Sequence, residues 1–393
     1  MSAPISVYLD YQATTPVDPR VLEIMLPFFS EGFANPHSVQ HGPGRDAADA
    51  TDKARAQIAQ AIGAEAREIV FTSGATEANN LAIKGAVRFA MAQGQGGHIV
   101  TVATEHKCVL EASADMEAEG ARVTVLPVGA DGLVDLGELE AALDEETCLV
   151  SVMAVNNETG VIQPLDEIGA ITRPRGILLH TDAAQAVGKI ALDVEVANVD
   201  LMSMTAHKVY GPKGIGALYV RRRPRARLTP LFSGGGQERG LRSGTLPVPL
   251  CVGFGAACAL AETEREAETA RVGQLRDRLL AGLKDKLGDV SVNGSWERRI
   301  AANLNVIIPG ADGGDLLAVL DDVAISTGSA CTSASQAPSY VLTSMGLSAV
   351  EASQSFRLSV GRFTTDEEID LAVGSLSYAA TNLRQEPVQA AGD

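Results

Sequence analysis

The sequence predicts an α/β fold: a large domain on a mainly parallel seven-stranded sheet, plus a smaller α+β domain at the C-terminus. Seven short apolar runs alternate with stretches of helical periodicity. Hydrophobic residues make up 46% of the chain and aromatics only 4%, so the core must consist of Ala, Val, Leu and Ile. The 393 residues also exceed the roughly 250–300 that one hydrophobic core usually holds.

Strands and helices alternate along the first half of the chain. The predicted strands cover residues 68–72, 98–103, 122–127, 149–155, 177–181, 201–204 and 215–220. Helices are predicted over 52–64, 75–91, 109–118, 136–143 and 164–172. Strand–helix–strand repeats form right-handed crossovers between parallel strands, which makes the sheet mainly parallel.

A long helix predicted over 248–287 leads into the second domain, and its glutamate-rich middle at 262–268 is the predicted boundary. We therefore expect a large domain at 16–262 and a small domain formed by 1–15 and 263–393. Further strands are predicted near Val290 and at 303–308, 324–326 and 356–359. The small domain also carries a loop of small and polar residues at about 326–338.

Charge and cysteine usage exclude several classes of protein. A formal charge of −17 opposes nonspecific binding to nucleic acid or to an anionic membrane. Arginines at 221–227 nevertheless form a basic cluster, which we interpret as a solvated segment or contact surface. No apolar run reaches the ~20 residues of a membrane span, and residues 1–10 do not resemble a signal peptide, so a cytoplasmic location is expected. Five cysteines without a CxxC pair argue against a metal site and a disulfide framework.

Lys208 follows the predicted strand at 201–204 and precedes a glycine-rich turn. A lysine at the end of a core strand loses part of its hydration, which lowers the pKa of the amine and makes it a usable Schiff-base nucleophile. A lone lysine in a loop is usually a surface residue. The polar groups at the other strand ends favour a functional role instead.

Ligands of open α/β sheets bind beyond the carboxyl ends of the strands. Residues 73–77 place hydroxyls and a glycine at a helix start, which is typical of an anion site. His106, the amides within 156–160 and Asp182 follow three further strands. A lysine, a carboxylate for a pyridinium nitrogen and a helix N-terminus for a phosphate are what pyridoxal phosphate requires. A nicotinamide cofactor is the main alternative, but no GxGxxG motif opens a βαβ unit here.

Cys331 lies in the loop at about 326–338, among small and polar residues. Structural cysteines usually have apolar neighbours, as Cys251 and Cys258 do on one helical stripe. Cys108 and Cys148 are also interpreted as structural. Cys331 is therefore the candidate nucleophile, suited to attack a substrate atom and deliver it elsewhere.

Together these stretches resemble the cysteine desulfurases of the NifS/IscS type, which are class V aminotransferases of PLP-dependent fold type I. The matching stretches are Tyr8 to Pro16, SGATEANN from Ser73, TEHK from Thr104, NNETG from Asn156, HTDAAQAVGK from His180, AHKVYGPKGIGALYVRR from Ala206, RSGTLP from Arg242, the residues around Cys331, and RLSVGRFTT from Arg357. Each match is weak by itself, but their order along nearly the whole chain is specific.

The resemblance implies a role for each matching residue. Lys208 would bind the cofactor covalently and move protons at the substrate Cα, and Asp182 would pair with the pyridine nitrogen. Gln185 would hydrogen-bond the ring hydroxyl, and His106 would stack on the ring and assist proton transfer. The other cofactor contacts would come from Ala75, Thr76, Thr205 and His207, and from Thr245 reaching the second subunit of a homodimer.

The resemblance also implies a substrate and a product. Asn157 and Arg357 would hold the carboxylate of L-cysteine. Cys331 would attack its sulfur and become a persulfide, with His106 as our candidate proton acceptor, and L-alanine would leave. The sulfur would then pass to an acceptor such as an iron–sulfur scaffold protein, for cluster assembly or other thiolation.

Four departures from the family pattern are visible. Threonine stands at position 205 where serine is common, and Thr327 stands in an otherwise serine-rich loop motif. Cys108 replaces a usual alanine, and the tail at 385–393 does not resemble the one that docks a scaffold protein. Three alternatives stay open. They are a selenocysteine lyase, a small-amino-acid aminotransferase of the same fold, and a non-catalytic sulfur carrier or scaffold.

Overall fold

The computed structural model describes residues 7–328 and 338–385. Its strands are β1 (Val7–Tyr8), β2 (Ile69–Thr72), β3 (His98–Val102), β4 (Arg122–Leu126), β5 (Thr147–Ser151), β6 (Leu178–Asp182), β7 (Leu201–Thr205), β8 (Gly216–Val220), β9 (Ser291–Val292), β10 (Asn303–Ile307), β11 (Val323–Ala324) and β12 (Ser355–Ser359). Its α-helices are α1 (Pro19–Met25), α2 (Pro27–Ser30), α3 (Gly42–Gln60), α4 (Ala75–Ala92), α5 (Lys107–Ala118), α6 (Leu136–Ala142), α7 (Leu165–Thr172), α8 (Val248–Leu287), α9 (Gly313–Val319), α10 (Tyr340–Ser344), α11 (Ala349–Ser353) and α12 (Asp366–Gln385).

The large sheet has seven strands in the order β2-β8-β7-β6-β5-β3-β4. Strand β8 is antiparallel to both neighbours, and all the other pairs are parallel. The short turn after β7 cannot hold the crossover that a parallel pair requires, so β8 returns antiparallel to β7. The parallel strands β3, β5, β6 and β7 are largely buried, including their polar residues, as expected for strands covered on both faces.

The two halves of helix α8 pack into two different apolar clusters. Its first half, including Phe254 and Cys258, packs into the cluster around the large sheet. Its second half, including Leu279 and Leu283, packs with β10 and β12 in a separate cluster. Between Ala261 and Val272 the helix has no buried residue, and this stretch contains the predicted boundary. The packing is compatible with the predicted domain limits, which stay a prediction.

The second cluster covers a three-stranded antiparallel sheet in the order β12-β10-β9. A separate parallel pair, β1 with β11, joins the first described residues to this part of the chain. None of the helices within 7–328 and 338–385 is long and apolar enough to cross a membrane.

The basic cluster at 221–227 is only partly the solvated segment that we expected. Arg221 is buried, with Nη1 2.7 Å from a carboxylate oxygen of Glu195 and Nε 3.4 Å from Asp200. It therefore stabilises the fold instead of facing solvent. Arg222, Arg223, Arg225 and Arg227 are exposed.

Candidate active site

The large sheet brings the predicted functional segments to one edge. Strands β2, β3, β5, β6 and β7 all point the same way, so the residues that follow them meet there. Strand β8 begins at this edge with Gly216, which pairs with Thr72 on one side and Thr205 on the other. A Cβ atom on Gly216 would lie 2.6 Å from the Cα of Gly74, so only glycine allows the start of α4 to approach so closely.

A cavity of about 450 Å³ opens at this edge. Seven of the predicted cofactor residues line it: Ala75, Thr76, His106, Asp182, Thr205, His207 and Lys208. The other lining residues are Ala13, Thr14, Ser73, Gly74, Glu77, Cys108, Ala184, Lys213 and Gly214. Four described residues that we predicted for the site do not line the cavity: Asn157, Gln185, Thr245 and Arg357. Cys331 lies outside the described residues.

One end of the cavity suits a phosphate group. Helix α4 begins there, and its N-cap residue, Gly74, has no side chain that could accept a hydrogen bond. The backbone N–H groups in the first turn of α4 are therefore not capped by the N-cap residue. Burial, together with the charges of Lys208, Lys213 and Lys189, lowers the pKa of His207 to about 4. A helix N-terminus beside two lysines of the same cavity attracts an anion, so the residues fit a phosphate.

Asp182, the last residue of β6, suits the ring nitrogen of pyridoxal phosphate. One of its oxygens accepts a hydrogen bond from the Asn79 amide at 2.7 Å, and the other from the backbone N–H of Ala184 at 2.9 Å. Asp182 is only 6% exposed and forms no salt bridge with any described residue. A buried carboxylate without a cationic partner favours a cationic ligand, such as a protonated ring nitrogen.

Asn79 is a site residue that our sequence reasoning missed. It lies three residues after Thr76 on α4, so the two share one face of the helix. Its amide donates to both Asp182 and the thiol of Cys108, at 2.7 and 3.1 Å. The helical spacing was the signal that could have revealed it.

His106 is held in one tautomer at the start of α5. The backbone N–H of Cys108 donates to Nδ1 at 3.2 Å, and the Cys108 sulfur lies 3.0 Å from the same atom. Nδ1 is therefore unprotonated, and the neutral ring carries its proton on Nε2. Burial lowers the pKa of His106, which keeps the ring neutral. This geometry favours His106 as a hydrogen-bond donor through Nε2, and its role as proton acceptor for Cys331 stays a prediction.

The four described cysteines are poor nucleophiles. Burial raises the pKa of the Cys108 thiol to about 12, that of Cys148 to about 11 and that of Cys251 to about 12. Burial also raises the pKa of Cys258, which has no solvent exposure. At neutral pH all four remain thiols, so none of them supplies the thiolate that nucleophilic attack requires.

The two predicted substrate residues contact each other in the interior. Arg357, on β12, donates through Nη1 to the backbone carbonyl of Asn157 at 2.8 Å, and through Nη2 to Asp10 at 2.7 Å. Within the described part of the chain, Arg357 Nε and Asn157 Oδ1 are buried without a hydrogen-bond partner. A buried N–H without an acceptor favours an anionic ligand such as a carboxylate.

Gln185 and Lys208 lie next to a second, smaller cavity of about 30 Å³, which Lys208 lines together with Gln12 and Lys189. The Gln185 amide donates to the backbone carbonyl of Gln12 at 2.8 Å and accepts from Lys189 at 2.8 Å. Lys208 follows β7 in a short 3-10 turn and lines both cavities. The predicted Thr245 is exposed and lines neither cavity of its own chain.

The chain is similar to known proteins along almost its whole length. The sequence pattern of the family Aminotransferase class-V matches residues 7–371. A cysteine desulfurase IscS from Rickettsia bellii (strain OSU 85-389) is 53% identical over 380 residues, which are 97% of this chain and 92% of the relative.

Two solved structures have the same fold. One, described as a NifS-like protein, superimposes with a TM-score of 0.89 at 36% identity, covering 96% of this chain and all of the other. The other, described as SspA in complex with cysteine, gives a TM-score of 0.80 at 40% identity, over 91% of this chain and all of the other.

The predicted fold class, family and cofactor are confirmed by these similarities. The family match spans most of the chain, and the fold is that of the NifS-like neighbours. The enzymes of this family depend on pyridoxal phosphate, whose ring and phosphate fit the groups around the 450 Å³ cavity. The chain belongs to the class V aminotransferase family and, within it, to the cysteine desulfurases.

Proposed function

We propose that the chain removes sulfur from L-cysteine, using Lys208 in the 450 Å³ cavity and Cys331 as the nucleophile, to give L-alanine and a persulfide on Cys331. One observation carries the proposal. Lys208, the buried carboxylate of Asp182 and the uncapped start of α4 line the same cavity. This combination suits pyridoxal phosphate and a reaction at the Cα of an amino acid.

Residues that line the cavity, together with Gln185 beside it, would divide the binding of the cofactor among them. When bound, pyridoxal phosphate supplies a ring that withdraws electrons from the substrate. Asp182 holds the proton of the ring nitrogen, and Gln185 donates to the ring oxygen. The N–H groups of the first turn of α4, including those of Ala75 and Thr76, bind the phosphate. Thr205 and His207 complete the phosphate site from the end of β7.

The other residues act on the substrate. Asn157 and Arg357 orient its carboxylate, and Lys208 takes the proton from its Cα. The thiolate of Cys331 attacks the substrate sulfur, so an S–S bond forms as the C–S bond breaks. The electrons of the broken bond go to the substrate Cβ, which then takes a proton to become the methyl group of alanine.

The products of the wild-type protein test this proposal against its alternatives. With L-cysteine and a thiol reductant, we expect alanine and sulfide in a 1:1 ratio and no need for a keto acid. An aminotransferase would need a keto acid as amino acceptor, and a non-catalytic carrier would release no alanine. A clear preference for selenocysteine over cysteine would instead identify a selenocysteine lyase. Any of these three outcomes would contradict the proposal.

We also propose a homodimer in which Thr245 reaches the cofactor site of the other subunit. Large apolar side chains are exposed close together in the sequence: Leu22, Ile24, Leu26, Phe29, Phe33 and Val39. Apolar surface of this kind is typical of a subunit interface. Thr245 is exposed and belongs to a loop tied to α4, because Arg242 pairs with Glu77 at 2.8 Å.

Replacing Phe29 with glutamate should weaken this dimer. Phe29 is 58% exposed in the single chain, so the change should leave the fold intact, while two-fold symmetry places the charge in the interface twice. We expect the dimer dissociation constant to rise at least ~30-fold, which is the effect of losing an interface hot spot. Light scattering over a dilution series measures the change.

The matched control is Leu371→Glu, which alters a side chain of similar exposure, 56%, on α12. This variant should remain dimeric. Wild-type dimer stability in Phe29→Glu, or a monomeric wild-type protein with full cofactor binding, would contradict the proposed interface.

Finally, we propose a cytoplasmic enzyme that passes its sulfur to an acceptor protein such as an iron–sulfur scaffold. The 53% identity to a cysteine desulfurase IscS over most of the chain supports this role. The C-terminal tail lies outside the described residues. Transfer of labelled sulfur from the persulfide to a purified scaffold protein measures the proposed step directly.

A further inference from the structure

The amide of Gln185 is held in one orientation by two partners. Its Oε1 accepts a hydrogen bond from Lys189 Nζ at 2.8 Å, and its Nε2 donates to the backbone carbonyl of Gln12 at 2.8 Å. A carbonyl oxygen can only accept, and the side chain of Lys189 donates through its N–H groups. Turning the amide over would place oxygen against oxygen at Gln12 and N–H against N–H at Lys189. Gln185 is 2% exposed, so water cannot replace either contact easily.

Lys189 is unusual because it is a partly buried lysine next to a second lysine, Lys208. It is only partly exposed and forms no salt bridge with any residue of 7–328 or 338–385. It also lies close enough to Lys208 for the two charges to repel. Burial together with this repulsion lowers the pKa of Lys189 to about 7, with a smaller contribution from Arg357, while the carboxylate of Glu268 opposes the shift. A partly buried cation beside another cation destabilises the fold, so its presence at this position points to a functional role. Its hydrogen bond to Gln185 suggests what that role is.

We infer that Lys189 is a positioning residue for Gln185. By binding Oε1, it leaves the second N–H of Nε2 for the ring oxygen of pyridoxal phosphate. The inference rests on the proposed function, in which Gln185 donates to that oxygen. An N–H donor at this place stabilises the deprotonated ring oxygen, whereas the reversed amide would present a second acceptor and repel it.

Lys189→Met tests the inference through the free enzyme's spectrum, without substrate. We expect the pH midpoint of the cofactor's visible absorbance to rise by roughly one unit, which is the size of effect that losing one hydrogen bond produces. The midpoint should rise because the variant loses the N–H donor to the ring oxygen, and this donor favours the deprotonated form of the cofactor. Lys189→Arg, which keeps a donor, should restore the midpoint. Lys84→Met, which removes a lysine that pairs with Asp115 and lines neither cavity, should leave the midpoint unchanged.

A double-mutant cycle separates positioning from a direct charge effect on Lys208. In a Gln185→Ala background, Lys189→Met should shift the midpoint no further, because the group through which it acts is gone. Equal shifts in both backgrounds, or an unchanged midpoint in Lys189→Met, would overturn the inference. Circular dichroism checks folding, and Lys189→Gln provides a second neutral variant if the methionine variant is unstable.

The same series keeps this inference distinguishable from the proposed function. If Gln185→Ala shifts the midpoint and Lys189→Met does not, only the role of Lys189 is wrong. If the wild-type chain binds no pyridoxal phosphate at all, the proposed function itself fails. Cofactor affinity, measured by fluorescence on the cofactor-free protein, provides a second readout that does not depend on turnover.

Discussion

Lys208→Ala should abolish the visible absorbance of the bound cofactor and lower turnover of L-cysteine by at least about 10³-fold. The amine of Lys208 lies at the end of β7 and lines the 450 Å³ cavity together with Asp182 and the start of α4. Alanine has no amine to hold the cofactor or to move the Cα proton. Absorbance spectra and alanine formation measure the two losses separately.

Lys213→Ala is the matched control, because Lys213 lines the same cavity. We assign it no covalent role, so this variant should keep the visible absorbance even if the phosphate binds more weakly. Borohydride reduction of the wild-type protein, followed by peptide mapping, identifies the lysine that carries the cofactor. A label on any lysine other than Lys208 would contradict the assignment, as would a normal spectrum in Lys208→Ala.

Cys331→Ser should keep the cofactor spectrum, but the rate at which it releases sulfur and alanine should fall by at least about 10³-fold. Serine has a similar size but cannot form a persulfide. No described cysteine can replace it, because burial raises the pKa of the other four thiols above its usual range. Cysteine-dependent sulfide formation is the measurement, and Cys148→Ser is the control that should remain active.

Alkylation of the native protein checks the same assignment without turnover. At neutral pH we expect one rapidly reacting thiol per chain in the wild type and none in Cys331→Ser, because reaction rates follow the thiolate fraction. Fast labelling of Cys108 would contradict the pKa of about 12 that its burial produces. Wild-type sulfide release by Cys331→Ser would show that another group is the nucleophile.

Much of the cavity was predictable, because its residues follow strands that are easy to find. Apolar runs indicated the strands, and a mainly parallel sheet brings the residues after them to one edge. Thr76, His106, Asp182 and Lys208 therefore meet in one cavity, as expected. Asn79 follows the same logic through its helical spacing from Thr76, although our reasoning passed over it.

The contact between Lys189 and Gln185 could not be predicted from strand ends or from helical spacing. Lys189 lies four residues after Gln185, but the chain between them forms turns instead of a helix, so helical spacing does not apply. Arg357 and Asn157 are 200 residues apart, and no local pattern shows that they bond to each other. Contacts of this kind depend on how the small sheet packs against the large one.

The order of the short motifs, read from the chain alone, was enough to establish the family, the fold and the cofactor, and it predicts that Lys208 holds the cofactor. Motifs carry this information because each one combines a strand end with the group that follows it. The folded chain alone decided the tautomer of His106, the orientation of the Gln185 amide and the high pKa of the four described thiols. These properties depend on burial and on distances between atoms of a few ångströms, which residue order does not contain.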